Sequence, residues 1–454
     1  MISPVFDESN LIGAAGVLPV LRLAEAAGLH EQLARLSVDC PNAGLKAVGV
    51  VAGMLVGADS IDDLDVLRHG GMDRVVTGIR APSTLGTFLR SFTHGHVQQV
   101  DSAATSLLVG LTARVPGLLA GADGLALVDV DDTIRQVHGY AKQGAAFGYT
   151  RVRGLNVALA TVSSPIAAPV IVAARLRSGN TASATGCARL LAQAIRAART
   201  AGASGQVLAR ADSAYYGWAF VGTALRHQAW FSVTARMTAA VAAAIAGIDE
   251  SAWQAIEYPH AITETDPDTG HQHLVSDAQV ADTAFTAFTG RRVSEQVTCR
   301  LVVRRVKRLQ PQAADGSQQG ELFTAWRYHA FITNSTLSIV EADALHRGHA
   351  VIEQTIAELK DGPLAHLPSG SYAANAAWLA CTVIAFNLAR AAAVAAGMHL
   401  LRWASLRAKL INVPARIATT GRRLILHLPT RWPWQPAWHN LWATATGPPP
   451  PVTP

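Results

Sequence analysis

The sequence predicts an α/β fold that carries a β-rich insertion, a helical N-terminal region and a basic helical C-terminal tail. Between residues 123 and 235, apolar stretches of strand length alternate with helical stretches, which indicates a sheet covered by helices. The alternation stops over residues 236–334, where strand-like and turn-rich segments follow one another. Residues 11–120 instead repeat apolar side chains at helical spacing, and no Asp or Glu follows Asp361.

The composition narrows the class of protein. The chain has 454 residues, of which 50% are hydrophobic, so it can bury several cores, and about two to four domains are expected. Its formal net charge is +6, and the acid-free stretch after Asp361 is rich in arginine, which suits a polyanion such as DNA. A chance variation in surface charge explains the same composition equally well.

Cysteine usage and hydropathy favour the cytosol. The four cysteines form no C-x-x-C pair, which argues against a zinc ribbon and against a disulfide framework. The N-terminus, MISPVFDESN, lacks the positive start and apolar run of a secretion signal. The one membrane-like run begins at Ala373 and contains Asn375, Asn387 and Arg390, which are costly in lipid. A buried helix is therefore predicted there, and no membrane contact.

The N-terminal region is predicted to be helical because LPVLRLAEAAGLHEQLARL and VDSAATSLLVGLTARV have helical periodicity. In APSTLGTFLRSF, Pro82 followed by Ser83 or Thr84 as a cap predicts the start of another helix. That helix either reads DNA in a helix-turn-helix, with Arg90 and His94 exposed, or packs against its neighbours. Packing is favoured, since this region is not basic.

The core elements follow in order from residue 123. Strands are predicted at LALVDVD, GLNVALATV, PVIVAARL, VLARAD and WFSVTA, with a long helix from about Ser183 to Ala201 and a short helix before the last strand. Within the insertion, strands are predicted at QVTCRLVVRRVKRL, which is heavily basic, and at WRYHAFIT. Helix resumes at EADALHRGHAVIEQTIAELKDG.

Three aspartates interrupt or follow the first core strand, LALVDVDDT. An apolar strand followed by D-x-D-x-T is the nucleophile motif of haloacid dehalogenase-like phosphatases, in which Asp129 would attack phosphate and Asp131 would act as acid and base. Such enzymes also need a later lysine and a later acidic pair at another strand end, and no GD-x-x-x-D or DD follows Asp132. The phosphatase interpretation therefore lacks its partners.

Two further carboxylates stand out. Asp212 closes the strand VLARAD, where an aspartate is most often a helix cap. Glu353 lies in HRGHAVIEQTIAELK, where at about 100° per residue one apolar stripe forms, and four polar residues fall within an arc of roughly 60° beside it. The stripe consists of Leu345, Ile352, Ile356 and Leu359, and the polar arc of His346, His349, Glu353 and Lys360. A solvated helix edge has the same pattern.

Taken together, these carboxylates give the chain a resemblance to the DDE transposases of bacterial insertion sequences, in the subgroup with a β-rich insertion. In that subgroup the first Asp lies in a D-x-T strand, the second in a strand ending in RADS, and the Glu in a helix after the insertion. The matching residues here are Asp131 in DDT, Asp212 in RADSAYY and Glu353. The resemblance covers about residues 123–400 and includes GPLAHLPSG and the helix that follows it.

The signature helix departs from the subgroup's pattern. In the subgroup, this helix carries Tyr, Arg, Glu and Lys in that order, at successive spacings of three, four and seven residues. Here Glu353 and Lys360 occupy the Glu and Lys positions. His346 and His349 stand where Tyr and Arg are expected. Arginine binds phosphate bidentately and tyrosine stacks on a base, and histidine does a weaker version of either, depending on its protonation. Arg347 carries a charge but points about 100° away from His346.

The resemblance implies an RNase H-like catalytic core in which Asp131, Asp212 and Glu353 converge on two Mg²⁺ ions about 4 Å apart, with Mn²⁺ as a substitute. One ion would activate water and later the DNA 3′-OH, and the other would stabilise the leaving oxygen. Side chains alternate along a strand, so Asp129 shares the face of Asp131 and supports or replaces it, while Asp132 points the other way.

The implied partners are transposon-end DNA and target DNA, bound by a homodimer in a synaptic complex in the bacterial cytoplasm at the nucleoid. Lys360 either contacts a phosphate near the scissile bond or simply ends its helix. The resemblance further implies a hairpin intermediate in which Trp253 or Trp326 stacks on a flipped base. Predicted DNA contacts are His346, His349, Lys360, Arg304, Arg305, Lys307 and Arg308.

We expect five segments in this arrangement. They are 1–122 (helical, DNA-end binding), 123–235 (first part of the core), 236–334 (β-rich insertion), 335–400 (second part of the core, with the Glu helix) and 401–454 (basic tail). Two rival functions remain. A phosphatase would lose more activity with Asp129→Asn than with Glu353→Gln, and an inactive transposase-derived DNA-binding protein would tolerate loss of Asp212.

Overall fold

The structure is a computed structural model that describes residues 2–257, 278–307 and 326–448, and only the backbone of residues 263–265 and 272–274. The chain divides into two compact units. Unit 1 consists of Met1–Thr185, Arg189–Val207 and Val351–Pro454, and unit 2 of Gly186–Ala188 and Leu208–Ala350. The five-segment division expected from the sequence stays a prediction.

The helices and strands together confirm the mixed α/β class. The helices are α1 (Val17–Ala26), α2 (Leu29–Ala34), α3 (Ala43–Val56), α4 (Pro82–Arg90), α5 (His94–Arg114), α6 (Cys187–Thr200), α7 (Trp218–Arg226), α8 (Ala239–Ala246), α9 (Ile339–Arg347), α10 (Val351–Lys360), α11 (Tyr372–Ala395), α12 (Trp403–Leu406) and α13 (Gln435–Thr446). The strands are β1 (Leu11–Ile12), β2 (Leu125–Gln136), β3 (Ala146–Phe147), β4 (Arg153–Ser163), β5 (Val170–Ser178), β6 (Gln206–Ala211), β7 (Trp230–Thr234), β8 (Gln254–Ile256), β9 (Thr263–Thr265), β10 (Gln272–Leu274), β11 (Ala278–Ala287), β12 (Val297–Lys307), β13 (Trp326–Thr333), β14 (Ala415–Thr420) and β15 (Arg423–His427).

The sheet of unit 1 is built on β4, which pairs antiparallel with β2, β3 and β5. Its register sets Asp131 opposite Leu159 and Asp132 opposite Ala158. The chain that enters β6 runs beside the start of β2, because Gly205 N–H donates to Ala122 O and Gln206 N–H to Gly124 O, both at 3.0 Å. The strands predicted at LALVDVD, GLNVALATV and PVIVAARL are confirmed.

Helix α11 forms the centre of unit 1. It is long and apolar enough to cross a membrane, by length and composition only, and 94% of its apolar stretch is buried inside the protein. Its Asn387 amide accepts from Ile171 N–H and donates to Ile171 O, both at 2.8 Å, so the polar residue satisfies a buried strand backbone. The prediction of a buried helix is confirmed.

The N-terminal region is mainly helical, as predicted, with α1 to α5 following the short strand β1. Helix α4 begins at Pro82, but its N-cap is Ala81 and makes no side-chain hydrogen bond, so the predicted Ser83 or Thr84 cap is wrong. Proline is favoured as the first helical residue because its fixed φ suits the helix and its missing N–H has no partner there in any case.

The C-terminal tail is not wholly helical, contrary to the expectation. Strands β14 and β15 form an antiparallel hairpin, and β14 also pairs with β1, with Leu11 opposite Arg416. At the start of β14, buried Ala415 and Ile417 alternate with exposed Arg416, and Gly421, at φ +57°, supplies the left-handed turn residue of the hairpin. Helices α12 and α13 flank this hairpin in the chain.

Unit 2 is rich in strands over the described part of residues 236–334. Strand β7 pairs parallel with β6 and antiparallel with β13, and β12 and β11 continue the antiparallel order to β8. Helix α9 covers this sheet, and its Ala342 packs against Val302 and Phe331.

Candidate active site

The two faces of β2 carry its aspartates to different surroundings. Asp132 is 8% exposed, accepts a hydrogen bond from the Asn156 amide, and lies 3.1 Å from the Arg177 guanidinium. Arg177 Nε also donates to Asn156 Oδ1 at 2.8 Å. These contacts bind Asp132 to β4 and β5, on the face opposite Asp131. Asp132 is therefore a structural carboxylate.

Asp131 and Asp129 share the other face but differ in access. Asp129 is 0% exposed, whereas Asp131 is partly exposed, and its Oδ1 accepts the Asp132 N–H at 2.7 Å. A nucleophile must reach its substrate, so the burial of Asp129 weighs against the phosphatase interpretation, in which this carboxylate attacks. The exposure of Asp131 agrees with its assignment as the first acid of the site.

Helix α10 packs against β2 within unit 1. Ile352, Thr355, Ile356 and Leu359 are buried, and Glu353 is exposed in the first turn of the helix. Glu353 and Lys360 are seven residues apart, so on an α-helix they align on one side, about 10 Å apart along its axis. The predicted buried stripe and the predicted Glu–Lys alignment are thus present over this helix.

Lys360 lies near Asp131. Burial lowers the pKa of the Lys360 ammonium below its ordinary value, the Arg135 guanidinium lowers it further, and the Asp131 carboxylate opposes both. Arg135 in turn donates from Nε to the backbone oxygen of Ala365 at 2.8 Å, which fixes the chain that follows α10. Unit 1 therefore gathers one carboxylate and two cations where β2 meets the end of α10.

Arg135 was not identified from the sequence, although a signal for it exists. It lies four residues after Asp131 on the same strand, so the period of two places both side chains on one face. The same alternation that separates Asp131 from Asp132 would have pointed to it.

The predicted arc of four polar residues on one helix is wrong. Helix α9 ends at Arg347, a 3₁₀ turn follows over Gly348–Ala350, and α10 begins at Val351. Glycine is a poor helix former, and the tighter turn changes the angle per residue, so a uniform 100° cannot be carried through it. His346 and His349 belong to unit 2, and Glu353 to unit 1.

His346 is engaged within unit 2. Its Nδ1 lies 2.8 Å from Ser232 Oγ, its Nε2 lies 3.1 Å from Thr234 Oγ1, and its ring stacks on Phe331 with centroids 4.0 Å apart. These contacts hold the ring against β7 and β13. DNA contact by His346, and by the partly exposed His349, stays a prediction.

Asp212 lies in unit 2 at the end of β6 and is exposed. Its Oδ1 accepts the Ala214 N–H at 2.9 Å and so caps the 3₁₀ turn Ser213–Tyr215. The capping role considered from the sequence is therefore real, and it employs one carboxylate oxygen. The role of Asp212 as the second catalytic acid stays a prediction.

The basic strand β12 uses two of its arginines inside unit 2. Arg304 lies 2.9 Å from Asp343, which is 1% exposed at its side chain and also binds Arg347 Nε at 2.8 Å. Arg305 is 5% exposed and forms a bidentate ion pair with Glu250, which raises the pKa of the guanidinium.

Both tryptophans proposed for base stacking lie against that same arginine. The Arg305 guanidinium is 4.2 Å from the Trp253 ring centre and 4.5 Å from the Trp326 ring centre. A cation between two aromatic rings stabilises the fold through cation–π attraction. Of the other predicted contacts in this strand, Lys307 is partly exposed, and Arg308 lies outside the described residues. DNA binding by Arg304, Arg305, Lys307 and Arg308 stays a prediction.

The carboxylates offer the donor chemistry that a hard divalent cation prefers, since Mg²⁺ binds oxygen ligands and keeps open positions for phosphate. Asp131 and Glu353 supply carboxylates on β2 and α10 of unit 1. In the part of the chain that the structure describes, no three His, Cys, Asp or Glu side chains form a group that could hold a metal ion.

A family model described as transposase DDE domain group 1 matches residues 6–446, which is nearly the whole chain. No curated protein matches it.

Proposed function

The chain belongs to the family of the transposase DDE domain, group 1, and on that premise we propose that it cuts DNA at the terminal inverted repeats of an insertion sequence and joins the 3′-OH ends to target DNA in a cut-and-paste reaction. The family makes it a DDE-type transposase, a protein of DNA recombination whose partners are DNA. The cut-and-paste sequence, the homodimer and the bacterial cytoplasm at the nucleoid are parts of the proposal.

The observation that carries the proposal is the packing of β2 against α10 in a chain that matches the family along nearly its full length. Asp131 on β2 is accessible and lies near Lys360, and Glu353 is exposed on the same helix as that lysine. The resemblance assigns Asp131, Asp212 and Glu353 to the chemistry and Lys360 to the scissile phosphate. Asp131, Glu353 and Lys360 lie on β2 and α10, and Asp212 is the fourth of these residues.

An RNase H-like core is part of this proposal. Its support is the order of three antiparallel strands, β2, β4 and β5, followed by α6 and by the chain that enters β6 beside the start of β2. The first acid lies on the first of these strands, as the resemblance implies.

Asp131, Asp212 and Glu353 would hold two Mg²⁺ ions, or Mn²⁺ in their place, and bound ions would activate the attacking oxygen and stabilise the leaving oxygen. Lys360 binds a non-bridging oxygen of the scissile phosphate, because its ammonium lies near Asp131. Arg135 holds the chain after α10 through Ala365 and so keeps the lysine in place. Asp132 fixes β2 through Asn156 and Arg177.

The proposal is tested by strand cleavage of labelled DNA that carries the ends of the element encoding this chain, in Mg²⁺. Asp131→Asn, Asp212→Asn and Glu353→Gln should each lower the cleavage rate by about 10³-fold or more, since each removes a metal ligand. Asp361→Asn is the matched control, because this exposed aspartate follows α10 directly and should leave the rate unchanged.

Three outcomes would reject the assignment. Equal cleavage by wild type and all three variants would exclude these acids from the chemistry. Hydrolysis of small phosphoesters that depends on Asp129 but not on Glu353 would instead support the phosphatase. Repeat binding without any cleavage by wild type would indicate an inactive transposase-derived DNA-binding protein.

A further inference from the structure

The connection between β2 and β4 displays an unusual set of side chains. Residues 137–152, which we term the aromatic loop, include a fully exposed Tyr140, Phe147 at 67% exposure and Tyr149 at 70% exposure. Across the described residues six large aromatic side chains are exposed, and three of them lie in this loop. Single exposed apolar residues are ordinary, but several within one short loop mark a binding surface.

The charged side chains within the aromatic loop have one sign. No Asp or Glu occurs in the sequence between Asp132 and Asp212. Within the aromatic loop the titratable side chains other than tyrosine are His138, Lys142 and Arg151. Aromatic rings interleaved with cations, without acids, are the composition of surfaces that bind single-stranded nucleic acid, in which bases stack and the backbone is attracted electrostatically.

The backbone of the aromatic loop is held in place from several sides. Arg153 donates to the Gly139 and Tyr140 oxygens at 2.7 and 3.1 Å. Gln143 N–H donates to Gly370 O at 3.0 Å. Gly144 O accepts from Ser178 Oγ at 2.9 Å. Because the backbone is ordered before any ligand arrives, binding requires less loss of conformational freedom.

A cleft opens beside the loop within unit 1. It has a volume of about 470 Å³ and is lined from the loop side by Gln136, His138 and Lys142 and from the other side by Arg90 of α4 and by His366. One carboxylate, Asp62, also lines it. Lys142 donates to the Leu367 oxygen and His366 pairs with Asp59, so Arg90 and His138 are the basic side chains of the cleft that remain for a phosphate backbone.

The loop is also placed suitably for a strand that passes Asp131. It follows Gln136, which is five residues beyond Asp131 on β2, or about 17 Å along an extended strand. One DNA strand of a duplex carries a phosphate about every 3.4 Å, so this length corresponds to roughly five nucleotides.

We propose that the aromatic loop binds unpaired bases of the DNA strand that lies near Asp131, by stacking them on Tyr140 and Tyr149, while the adjacent cleft accepts the phosphate backbone. The inference rests on the proposed function for the identity of the DNA, and it adds that the substrate is recognised in a single-stranded form next to the cleavage point. Duplex DNA buries its base faces and gains nothing from these rings.

The test measures binding rather than cleavage. Fluorescence anisotropy compares a labelled 20-nucleotide oligothymidine with its duplex on full-length Asp131→Asn protein in the absence of metal, so that no cleavage occurs. Tyr140→Ala with Tyr149→Ala should weaken single-strand binding by roughly 30-fold or more. Duplex binding should change by less than about 3-fold, because the duplex has no unstacked bases. Tyr140→Phe with Tyr149→Phe keeps both rings and should bind like the parent.

The salt dependence of binding separates stacking from charge. Neither tyrosine pair changes the number of cations, so the slope of log affinity against log salt concentration should be the same in the parent and in the alanine variant. Arg151→Ala should lower that slope by about one unit for a lost phosphate contact.

Several results would overturn the inference: no single-strand binding by the parent, no loss in the alanine variant, an equal loss in the phenylalanine variant, or an equal loss for duplex. Failure here is distinct from failure of the proposed function. If the acid variants abolish cleavage while the tyrosine variants leave single-strand binding intact, the loop inference alone fails. If cleavage is absent but single-strand binding depends on the rings, the loop inference stands and the proposed function fails.

Discussion

Asp131 and Asp132 are adjacent on β2 but lie in different surroundings. The burial of Asp132 predicts how its replacement will change the stability of the fold. Its carboxylate neutralises the charge of the Arg177 guanidinium, whose side chain is only 13% exposed. Asp132→Ala should therefore lower the free energy of unfolding by about 3–5 kcal/mol, the cost of leaving a buried charge without its partner. Urea unfolding measures this, and Asp131→Asn should change the urea midpoint little while abolishing cleavage. A stable Asp132→Ala protein would contradict the structural role.

The buried carboxyl of Asp101 is expected to make the stability of the fold depend on pH. Asp101 lies 2.6 Å from Arg175, yet burial outweighs the guanidinium and raises the pKa of the Asp101 carboxyl to about 6. His94 also favours the ionised form. A carboxyl with a raised pKa binds its proton more tightly in the folded state, so its contribution to stability is complete below its ordinary pKa and is lost as pH rises through about 6.

The test for Asp101 compares wild type with Asp101→Asn. The free energy of unfolding of wild type, relative to the variant, should fall between pH 4 and pH 7, by at most on the order of 3 kcal/mol. Thermal or urea unfolding at several pH values gives this difference. If the wild type instead gains stability relative to the variant over that range, the attraction of Arg175 outweighs burial and the prediction is wrong.

At the scale of elements, α10 is tied to its neighbours by one carboxylate. Glu358 Oε1 lies 3.2 Å from Arg390 Nη2 on α11, and its Oε2 accepts the Trp403 N–H at the start of α12 at 2.8 Å. Both side chains of the ion pair are less than a tenth exposed. This tie fixes the helix that carries Glu353 and Lys360.

Glu358→Gln should therefore lower the free energy of unfolding by about 3–5 kcal/mol and also slow cleavage, because α10 loses its anchor. The double variant Glu358→Gln with Arg390→Met removes the stranded charge and should recover most of the lost stability, as an apolar replacement of a buried pair often does. A double-mutant cycle in urea measures the coupling between the two residues. Additive losses would show that the pair does not interact.

Periodicity predicted most elements because their patterns are local. Strand β2 and helices α1, α5 and α11 follow directly from apolar spacing. The sequence did not predict the break between α9 and α10, because one glycine in a strongly periodic stretch gives only a weak local signal for the 3₁₀ turn at Gly348–Ala350.

Ion pairs between residues distant in sequence explain why the basic side chains of β12 differ from what the sequence predicts. The basic run of β12 suggested DNA contacts, but Arg304 meets Asp343 and Arg305 meets Glu250, partners that lie 39 and 55 residues away in sequence. No local pattern reports such a pairing. Strand alternation is local, so it separates Asp132 from Asp129 and Asp131, and the same rule places Arg135 on the face of Asp131.

At the scale of the molecule, the two ends of the chain meet in unit 1. Strand β14 pairs with β1, α13 packs against α1, and Arg114 Nε donates to Thr444 O at 3.0 Å. Removing the residues after Asn412 should therefore expose β1 and α1 and raise their amide hydrogen exchange by several orders of magnitude. A shorter truncation after Gly447 is the control and should leave exchange unchanged. Unaltered protection in the longer truncation would contradict this role of the hairpin.

The discontinuity of unit 1 has a consequence for how the protein comes into being. Asp131 leaves the ribosome more than 200 residues before Glu353, a delay of roughly 10 to 40 s at ordinary elongation rates. During that interval β2 lacks α10 and α11. Under the proposed function, a nascent chain therefore lacks Glu353 and does not cut the chromosome from which its own message is being copied, and prematurely terminated polypeptides are inert for the same reason.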